Sequence, residues 1–123
     1  MPRASATAHE LLRIELLAAL PGERVAQLAK RMRREEVPTG SAPVEEGEEG
    51  ERFYVVFSGM FSVSKQGGLG LRAVLRPGDY FGEVALAMDI PRTASVRAIS
   101  PAVVGSCDRA TFDEFIRPLF AED

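Results

Sequence analysis

Hydrophobic residues follow two different patterns along the chain, and the pattern changes near Val37. Before Val37, apolar residues are densely spaced from residue 11 to residue 20 and recur at helical spacing from residue 25 to residue 32. Apolar residues at intervals of three and four predict amphipathic helices. Pro21-Gly22 separates the two groups, and proline is favoured at the first position of a helix. We therefore expect two N-terminal helices, the second of which packs its apolar face on a sheet.

Beyond Val37, short apolar segments alternate with glycine and proline at close intervals. This pattern is typical of many short strands in a barrel or sandwich. A turn is expected at Gly67-Gly68-Leu69-Gly70. The expected strands are Phe53 to Phe57, Phe61 to Ser64, Leu71 to Leu75, Ser95 to Ile99 and Val103 to Cys107.

The last apolar group predicts a C-terminal helix. Asp108 is a preferred N-cap residue, and the apolar residues between 112 and 116 have the spacing of one helix face. Proline removes a backbone donor and clashes with the preceding turn. Pro118 should therefore end or kink this helix at about Arg117.

Composition narrows the function classes. The 123 residues are 46% hydrophobic and 27% charged, as in an ordinary globular domain. A net charge of -3 argues against a nucleic-acid binder, which normally presents a basic face. The basic run from Lys30 to Arg34 is followed at once by acidic residues, so we interpret it as a solvated helix end. No apolar run approaches the ~20 residues of a membrane helix, and the single cysteine, Cys107, is compatible with a cytoplasmic protein.

The sequence gives little support for a metal site or a catalytic site. Five of the seven residues from Glu45 to Glu51 are acidic, but their spacing does not match a calcium loop, so a solvated loop is expected. His9 and Cys107 are the only His and Cys residues and stand at opposite ends of the chain. No nucleophile is spaced for pairing with a base. We therefore expect neither an enzyme nor a catalytic cofactor nor a metal site.

The chemistry of the chain is concentrated between Arg76 and Ser100. Gly82 lets a ligand approach the backbone, and Glu83 is an acceptor that suits a sugar hydroxyl. A short helical turn after them would present unpaired N–H groups to an anion. Arg92, nine residues after Glu83, can donate two parallel hydrogen bonds to a phosphate. Together these residues suit a ligand that carries both a sugar and a phosphate.

These residues resemble a known motif. The sequence FGEVAL at 81–86, followed by PRTASV at 91–96, is similar to the phosphate-binding cassette of the cyclic nucleotide-binding domain family. The resemblance extends over 37–59, where glycines stand at the expected turns, and covers nearly the whole chain. It implies a cytoplasmic sensor or regulatory domain that binds cAMP or cGMP and needs no catalytic cofactor.

The resemblance also implies roles for individual residues. The phosphate would be bound by Arg92, Thr93 and the N–H groups of Val84 and Ala85, and the ribose by Glu83 and the backbone of Gly82. Val63 and Ala73 would line the base, with ordinary core packing as the other interpretation of these two residues. Thr93 is compatible with cGMP and does not exclude cAMP, so the choice of base stays open.

Signalling would follow from movement of the flanking helices. Members of the family are usually fused to an output such as a channel, kinase, transporter or DNA-binding domain, and we expect an effector of this kind in the parent chain. Many members carry a further helix that closes over the base, whereas this sequence stops at Asp123. The lid would be missing, belong to a following segment or be dispensable. The alternative function is an interaction or scaffold module that has kept the fold and lost the ligand.

The expected fold class is α+β, an antiparallel β-barrel or jelly roll of about eight strands with helices at both ends. Residues 1–8 are expected to be disordered or introduced by cloning, and 9–123 to form a single domain. Within it, 10–36 would be helical, 37–108 would form the barrel with the cassette at 81–96, and 109–117 would form the C-terminal helix.

Overall fold

The structure is a computed structural model, and it describes residues 5–66 and 73–120. The turn expected at 67–70 and the start of the strand expected at 71–75 lie outside the described residues. Three short helical segments come first: α1 at Ala8–Leu11, a 3-10 helix at Glu15–Ala19 and α2 at Gly22–Arg31. The second helix thus begins at the Pro21-Gly22 break, as the sequence predicts.

The first expected helix is divided in two. Leu11, Ile14 and Leu17 are fully buried at three-residue intervals. A 3-10 helix has three residues per turn, so it keeps such residues on one side where a continuous α-helix would rotate them apart. The dense apolar run therefore folds as α1, a connecting turn and a 3-10 segment.

The N-terminal prediction was wrong for the residues from Ser5 onward. Ser5 pairs with Arg33 as an isolated bridge, and the N–H of Ala6 donates to the carbonyl of Met32 at 3.1 Å. Thr7 forms a capping box with Glu10 at the start of α1. Pairing with the next segment thus orders this part of the chain; residues 1–4 lie outside the described part.

The helical region also ends earlier than expected at 36. Met32 is the C-cap of α2, and β1 follows at Arg33–Val37, paired antiparallel with β7 at Ala102–Asp108. Arg33 forms an ion pair with Glu35 at 3.1 Å, and such a two-residue spacing places both side chains on one face of a strand. Pairing with a distant strand overrides the helix propensity of these charged residues.

The strands of the described part form two antiparallel sheets. Besides β1 and β7 they are β2 at Arg52–Ser58, β3 at Phe61–Ser64, β4 at Ala73–Leu75, β5 at Tyr80–Phe81 and β6 at Ser95–Ala98. A four-stranded sheet has the order β1-β7-β2-β5, and a three-stranded sheet has the order β4-β3-β6. This is the antiparallel architecture predicted from the sequence. Val44 adds an isolated bridge to Val96, so the seven strands of the described part are supplemented by a rudimentary eighth.

Strand β2 is buried on both faces. Phe53 and Val55 belong to the core formed with the N-terminal and C-terminal helices. Tyr54 and Val56, which alternate with them, belong to the core between the two sheets. Successive side chains of a strand point to opposite faces, so β2 connects the helical layer with the interior of the jelly roll.

The chain ends in three consecutive helical turns, which we call the C-terminal segment: α4 at Arg109–Thr111, a π-helix at Phe112–Ile116 and α5 at Arg117–Phe120. Asp108 caps it by accepting from the N–H of Thr111 at 2.9 Å, as predicted. The helix does not end at Arg117 but continues to Phe120, and it changes from a π-helix to an α-helix at Arg117. The wider π turn ends at Ile116, two residues before Pro118, which lacks a backbone donor.

Helix α3, at Glu83–Met88, lies between β5 of one sheet and β6 of the other. Its inward residues Ala85 and Leu86 are buried. It corresponds to the short turn predicted after Gly82. The connection that crosses between the two sheets therefore carries the residues predicted to bind a ligand.

Candidate ligand-binding site

Gly82 starts α3 in a conformation that favours glycine. Its φ is 91°, in the left-handed region, where it forms the N-cap of the helix. A Cβ at this position would lie 3.0 Å from the carbonyl oxygen of Arg52 and 3.1 Å from Nη1 of Arg92. Both the backbone angle and the space therefore require glycine.

Arg92 is a buried cation held by backbone carbonyls. Its side chain is 7% exposed, and it donates from Nη1 to the carbonyl of Gly82 at 3.0 Å and from Nη2 to that of Arg52 at 2.8 Å. A guanidinium has five N–H donors. The two bonds fix its orientation and leave further donors to meet a ligand.

The acidic loop holds the backbone of Arg92. The N–H of Arg92 donates to the carbonyl of Glu48 at 2.7 Å, and the N–H of Gly47 donates to the carbonyl of Arg92 at 2.9 Å. Burial lowers the pKa of Arg92, while Tyr54 and the nearby carboxylates, with Glu48 first among them, act in the opposite direction. The loop expected only to be solvated thus positions Arg92 and partly balances its charge.

Gly50 was expected only as a turn glycine, and the structure gives it a larger role. A Cβ there would lie 2.7 Å from the Cβ of Ala85 and 3.1 Å from Cζ of Arg92. Contacts under 3.0 Å require one of the two atoms to move. The absence of a side chain at Gly50 therefore lets the loop, α3 and the guanidinium pack together.

Glu83 is the first residue of α3 and is half-buried. Burial raises the pKa of its carboxyl group, whereas a hydrogen bond from its own backbone N–H and the charge of Arg92 lower it. Burial therefore disfavours the charged form of this carboxyl group, and the neighbouring cation partly offsets that effect. This arrangement is suited to a partner that donates hydrogen bonds, such as a sugar hydroxyl.

A cavity of about 200 Å³ lies between α3, the Arg92 segment and the three-stranded sheet. Of the eight predicted site residues, seven line it; Ala73 does not. Ala73 is exposed and pairs directly opposite Val63, so it stands on the same face at the margin of the cavity. The predicted residues in the lining are Val63, Gly82, Glu83, Val84, Ala85, Arg92 and Thr93.

Other lining residues were missed by sequence reasoning. Val44, Leu75 and Val96 contribute from a loop and two strands. Tyr80 and Phe81 contribute from the strand before α3. Alternation along the strands would have identified Leu75 and Val96 as inward-facing, whereas the position of Val44 depends on its bridge to Val96, which is not a local signal.

A polar network supports the carbonyl that Arg92 contacts. Arg52 donates from Nε to Oγ of Ser106 at 3.0 Å and from Nη2 to the carbonyl of Ser106 at 3.2 Å. The hydroxyl of Ser106, which is fully buried, donates to Oε2 of Glu35 at 2.5 Å. The network ties β1, β7 and β2 together immediately behind the site.

The C-terminal segment contacts the end of α3. Arg117 donates to the carbonyls of Leu86 at 2.9 Å and Ala87 at 3.1 Å. Arg109 donates to the carbonyl of Leu86 at 3.3 Å. The last carbonyls of a helix lack partners within the helix, and cations are favourable at this end. Both arginines therefore attach the C-terminal segment to the helix that begins at the site.

A family model for the cyclic nucleotide-binding domain matches residues 34–118. The chain belongs to the cyclic nucleotide-binding domain family. The cAMP-dependent protein kinase regulatory subunit of Debaryomyces hansenii is 38% identical over 105 residues, which are 85% of this chain and 23% of that protein. The cGMP-dependent protein kinase egl-4 of Caenorhabditis briggsae is 34% identical over an alignment 124 positions long, which covers 97% of this chain and 17% of that protein. This chain thus spans less than a third of the length of either relative.

Solved structures of other cyclic nucleotide-binding domains share the fold. The regulatory domain of Toxoplasma gondii protein kinase A, solved with cAMP, is 27% identical with a TM-score of 0.82, over 91% of this chain and 44% of that one. The regulatory subunit of a protein kinase A from Trypanosoma brucei, described as cAMP-independent, is 25% identical with a TM-score of 0.84, over 91% of this chain and 42% of that one. The fold is therefore shared with a domain solved with cAMP and with the regulatory subunit of a kinase described as cAMP-independent.

Two further findings concern all the residues that the structure describes. Within 5–66 and 73–120, no three His, Cys, Asp or Glu residues are grouped so that they could hold a metal ion. Across the same two ranges, no helix has both the length and the apolar character needed to cross a membrane.

Proposed function

We propose that the cavity binds a 3',5'-cyclic nucleotide, cAMP or cGMP, and that the domain reports this binding without catalysing a reaction. The observation that carries the proposal is the pairing of Arg92 and Glu83 in one cavity. Arg92 is oriented by two carbonyls and retains donors for a phosphate. Glu83 is an acceptor beside it, as a ribose hydroxyl requires.

In this proposal Arg92 binds the cyclic phosphate together with Thr93 and the N–H groups of Val84 and Ala85. The first N–H groups of a helix have no acceptor within the helix and point towards an anion. Glu83 and the backbone of Gly82 bind the ribose 2'-hydroxyl. The phosphate carries one negative charge, which Arg92 balances without a metal ion.

The base would lie against the three-stranded sheet, at Val63 with Ala73 at the margin. The cavity of about 200 Å³ is smaller than the roughly 300 to 1,000 Å³ of most small-molecule sites. Phosphate and ribose therefore fill it, and part of the base extends beyond it. Thr93 is compatible with either base, so cAMP and cGMP remain the two candidates.

Reporting would proceed from α3 to the C-terminal segment. A ligand shifts a conformational equilibrium only when it contacts one state better than the other. The ligand would contact the start of α3, and Arg109 and Arg117 are bonded to the end of the same helix. A change in the position of α3 would thus alter the contacts of the C-terminal segment.

The relatives suggest the output. Both named relatives are protein kinases or their regulatory subunits, which favours a kinase over a channel, transporter or transcription factor as the effector. The effector and a cytoplasmic location remain predictions. Fractionation of cells and capture of kinase activity with the full-length protein would test both.

Titration calorimetry with cAMP and with cGMP tests the proposed binding. We expect saturable binding of at least one nucleotide, and Arg92→Ala should weaken it by ~2 to 5 kcal/mol because the phosphate loses its buried partner. Arg97→Ala, which removes an exposed arginine from β6, is the matched control and should retain the parental affinity. Equal affinity of the Arg92 variant and the parent would refute the phosphate assignment.

The second candidate is an interaction module without a cyclic nucleotide. The similarity to the domain from Trypanosoma brucei described as cAMP-independent supports considering it. Absence of heat and of thermal stabilisation at millimolar cAMP and cGMP would favour this candidate. Nucleotide turnover in the same samples would instead indicate an enzyme.

A further inference from the structure

A second and larger cavity lies beneath the N-terminal helical layer. Its volume is about 390 Å³, roughly twice that of the proposed nucleotide cavity, and the two share no lining residue. It is enclosed by the connection after α1, by the end of β2 and by the turn at Pro77-Gly78. None of the functions considered so far uses it.

Hydrogen bonds fix the walls of this cavity. The N–H of Gly78 donates to the carbonyl of Val56 at 2.9 Å, and the N–H of Val56 donates to the carbonyl of Asp79 at 2.8 Å. On the other side, Nε of Arg34 contacts Oε2 of Glu10 at 3.0 Å. The turn is therefore fixed to the end of β2 on one side of the cavity, and α1 to β1 on the other.

One wall is apolar and includes an aromatic ring. Ile14 is fully buried, and Phe57 and Pro77 also line the cavity. The edge of the Phe57 ring packs against Gly105, where an added Cβ would be 2.7 Å from Cζ of Phe57. An aromatic side chain in the lining can pack against the ring of a planar ligand.

The polar lining carries a net positive charge. Arg13 and Arg34 contribute two positive charges and Glu10 one negative charge, which leaves one positive charge. The Nε donor of Arg34 is used by Glu10, but a guanidinium has further N–H donors. Arg13 is exposed at the surface, so its guanidinium is accessible to an anion entering the cavity.

We propose that this cavity is a second ligand site, which binds a small aromatic anion such as an aromatic carboxylate. The ring of the ligand packs against Phe57, Ile14 and Pro77, and its carboxylate meets Arg13 and Arg34. The site is independent of the nucleotide cavity.

An NMR titration of the ¹⁵N-labelled protein with naphthoate tests this proposal, with and without cAMP. We expect saturable shifts of the amides of Arg13, Ile14, Phe57 and Gly78 with a Kd of about 1 mM or below, whether or not cAMP is present. The neutral analogue naphthol should bind at least several-fold more weakly, since it cannot form the charge-assisted bonds.

Arg13→Gln should weaken naphthoate binding several-fold, whereas Lys30→Gln should leave it unchanged. Both substitutions remove one positive charge from an exposed side chain, but Lys30 lies on α2 and does not line the cavity. Equal binding by the two variants, shifts confined to the nucleotide cavity or a lack of saturation would each overturn the proposal. Because the readout does not require cAMP, its failure is distinct from a failure of the proposed nucleotide binding.

Discussion

Arg117 donates a hydrogen bond of 2.9 Å from Nη2 to the carbonyl oxygen of Leu86. The first residue lies near the end of the chain, and the second lies in the helix that begins at the ligand cavity. The bond thus connects two elements whose relative position would have to change if the domain is to report a ligand.

Replacing both arginines that bind the end of α3 should weaken this connection. In the double variant Arg109→Gln and Arg117→Gln, the carbonyl of Leu86 loses two donors, which should lower the free energy of unfolding by about 1 to 2 kcal/mol. We expect smaller cAMP-induced NMR shifts at Phe115 and Ile116. Undiminished shifts in a folded double variant would show that the signal takes another route.

Gly50→Ala should disrupt the site without altering any side chain that contacts the ligand. The added methyl group would lie 2.7 Å from the Cβ of Ala85, so α3 and Arg92 must move apart from the loop. We expect a loss of ~1 to 3 kcal/mol in stability and weaker nucleotide binding by calorimetry. Gly22→Ala is the control, because nothing lies within 4 Å of that position; it should be neutral or stabilising.

Glu83→Gln should increase stability at neutral pH while weakening nucleotide binding. Burial raises the folded-state pKa of Glu83 above its ordinary value of 4.5, so the folded state binds the proton more tightly than the unfolded state. The resulting penalty is absent below the unfolded pKa, grows as the pH rises and is complete above the folded pKa. The stability difference between variant and parent should therefore grow from acidic to neutral pH.

Urea denaturation at a series of pH values measures this difference. Glu36→Gln, which removes an exposed carboxylate from β1, serves as the control and should show a smaller change over the same range. A Glu83 variant whose advantage shrinks as the pH rises would contradict the argument from burial.

Ser106→Ala should destabilise the domain and loosen Arg92 from a distance. Ser106 is fully buried and links Arg52 with Glu35, and the loss of a buried hydroxyl between charged groups costs about 1 to 3 kcal/mol. Because the carbonyl of Arg52 accepts from Arg92, nucleotide affinity should fall as well. Unchanged affinity in the destabilised variant would show that Arg92 is held sufficiently by Gly82 alone.

Cys107 should not react with thiol reagents in the folded protein. It is fully buried, and burial raises the pKa of its thiol to about 12, whereas the reactive form is the thiolate. Its labelling rate should therefore follow unfolding of the core, and a bound nucleotide should slow it. Labelling at the rate of a free thiol would contradict the packing described for β7.

The sequence was most informative where the signal is local. Spacing, glycine and proline predicted β3, α3 and the capped start of the C-terminal segment, and the cassette residues do line one cavity. The strand at Arg33–Val37 was missed because its pairing with β7 depends on residues about 70 positions away.

The roles of Gly50 and Ser106 also depend on three-dimensional contacts. Gly50 matters because Ala85 and Arg92 approach it, and Ser106 matters because β1 and β2 flank β7. Neither residue differs in sequence from an ordinary turn glycine or strand serine. The continuation of the helix past Pro118 was not predicted, because no local sequence signal indicates the π turn at Phe112–Ile116.

The double burial of β2 has a consequence for how the domain denatures. Phe53 and Val55 pack in the core with the helices, while Tyr54 and Val56 pack in the core between the two sheets. Unfolding of either core would therefore remove contacts that β2 makes in the other. The helical layer and the jelly roll therefore form one cooperative unit, in which calorimetric and van't Hoff enthalpies should agree. A destabilising substitution on either face of β2 should therefore lower the free energy of unfolding of the whole domain.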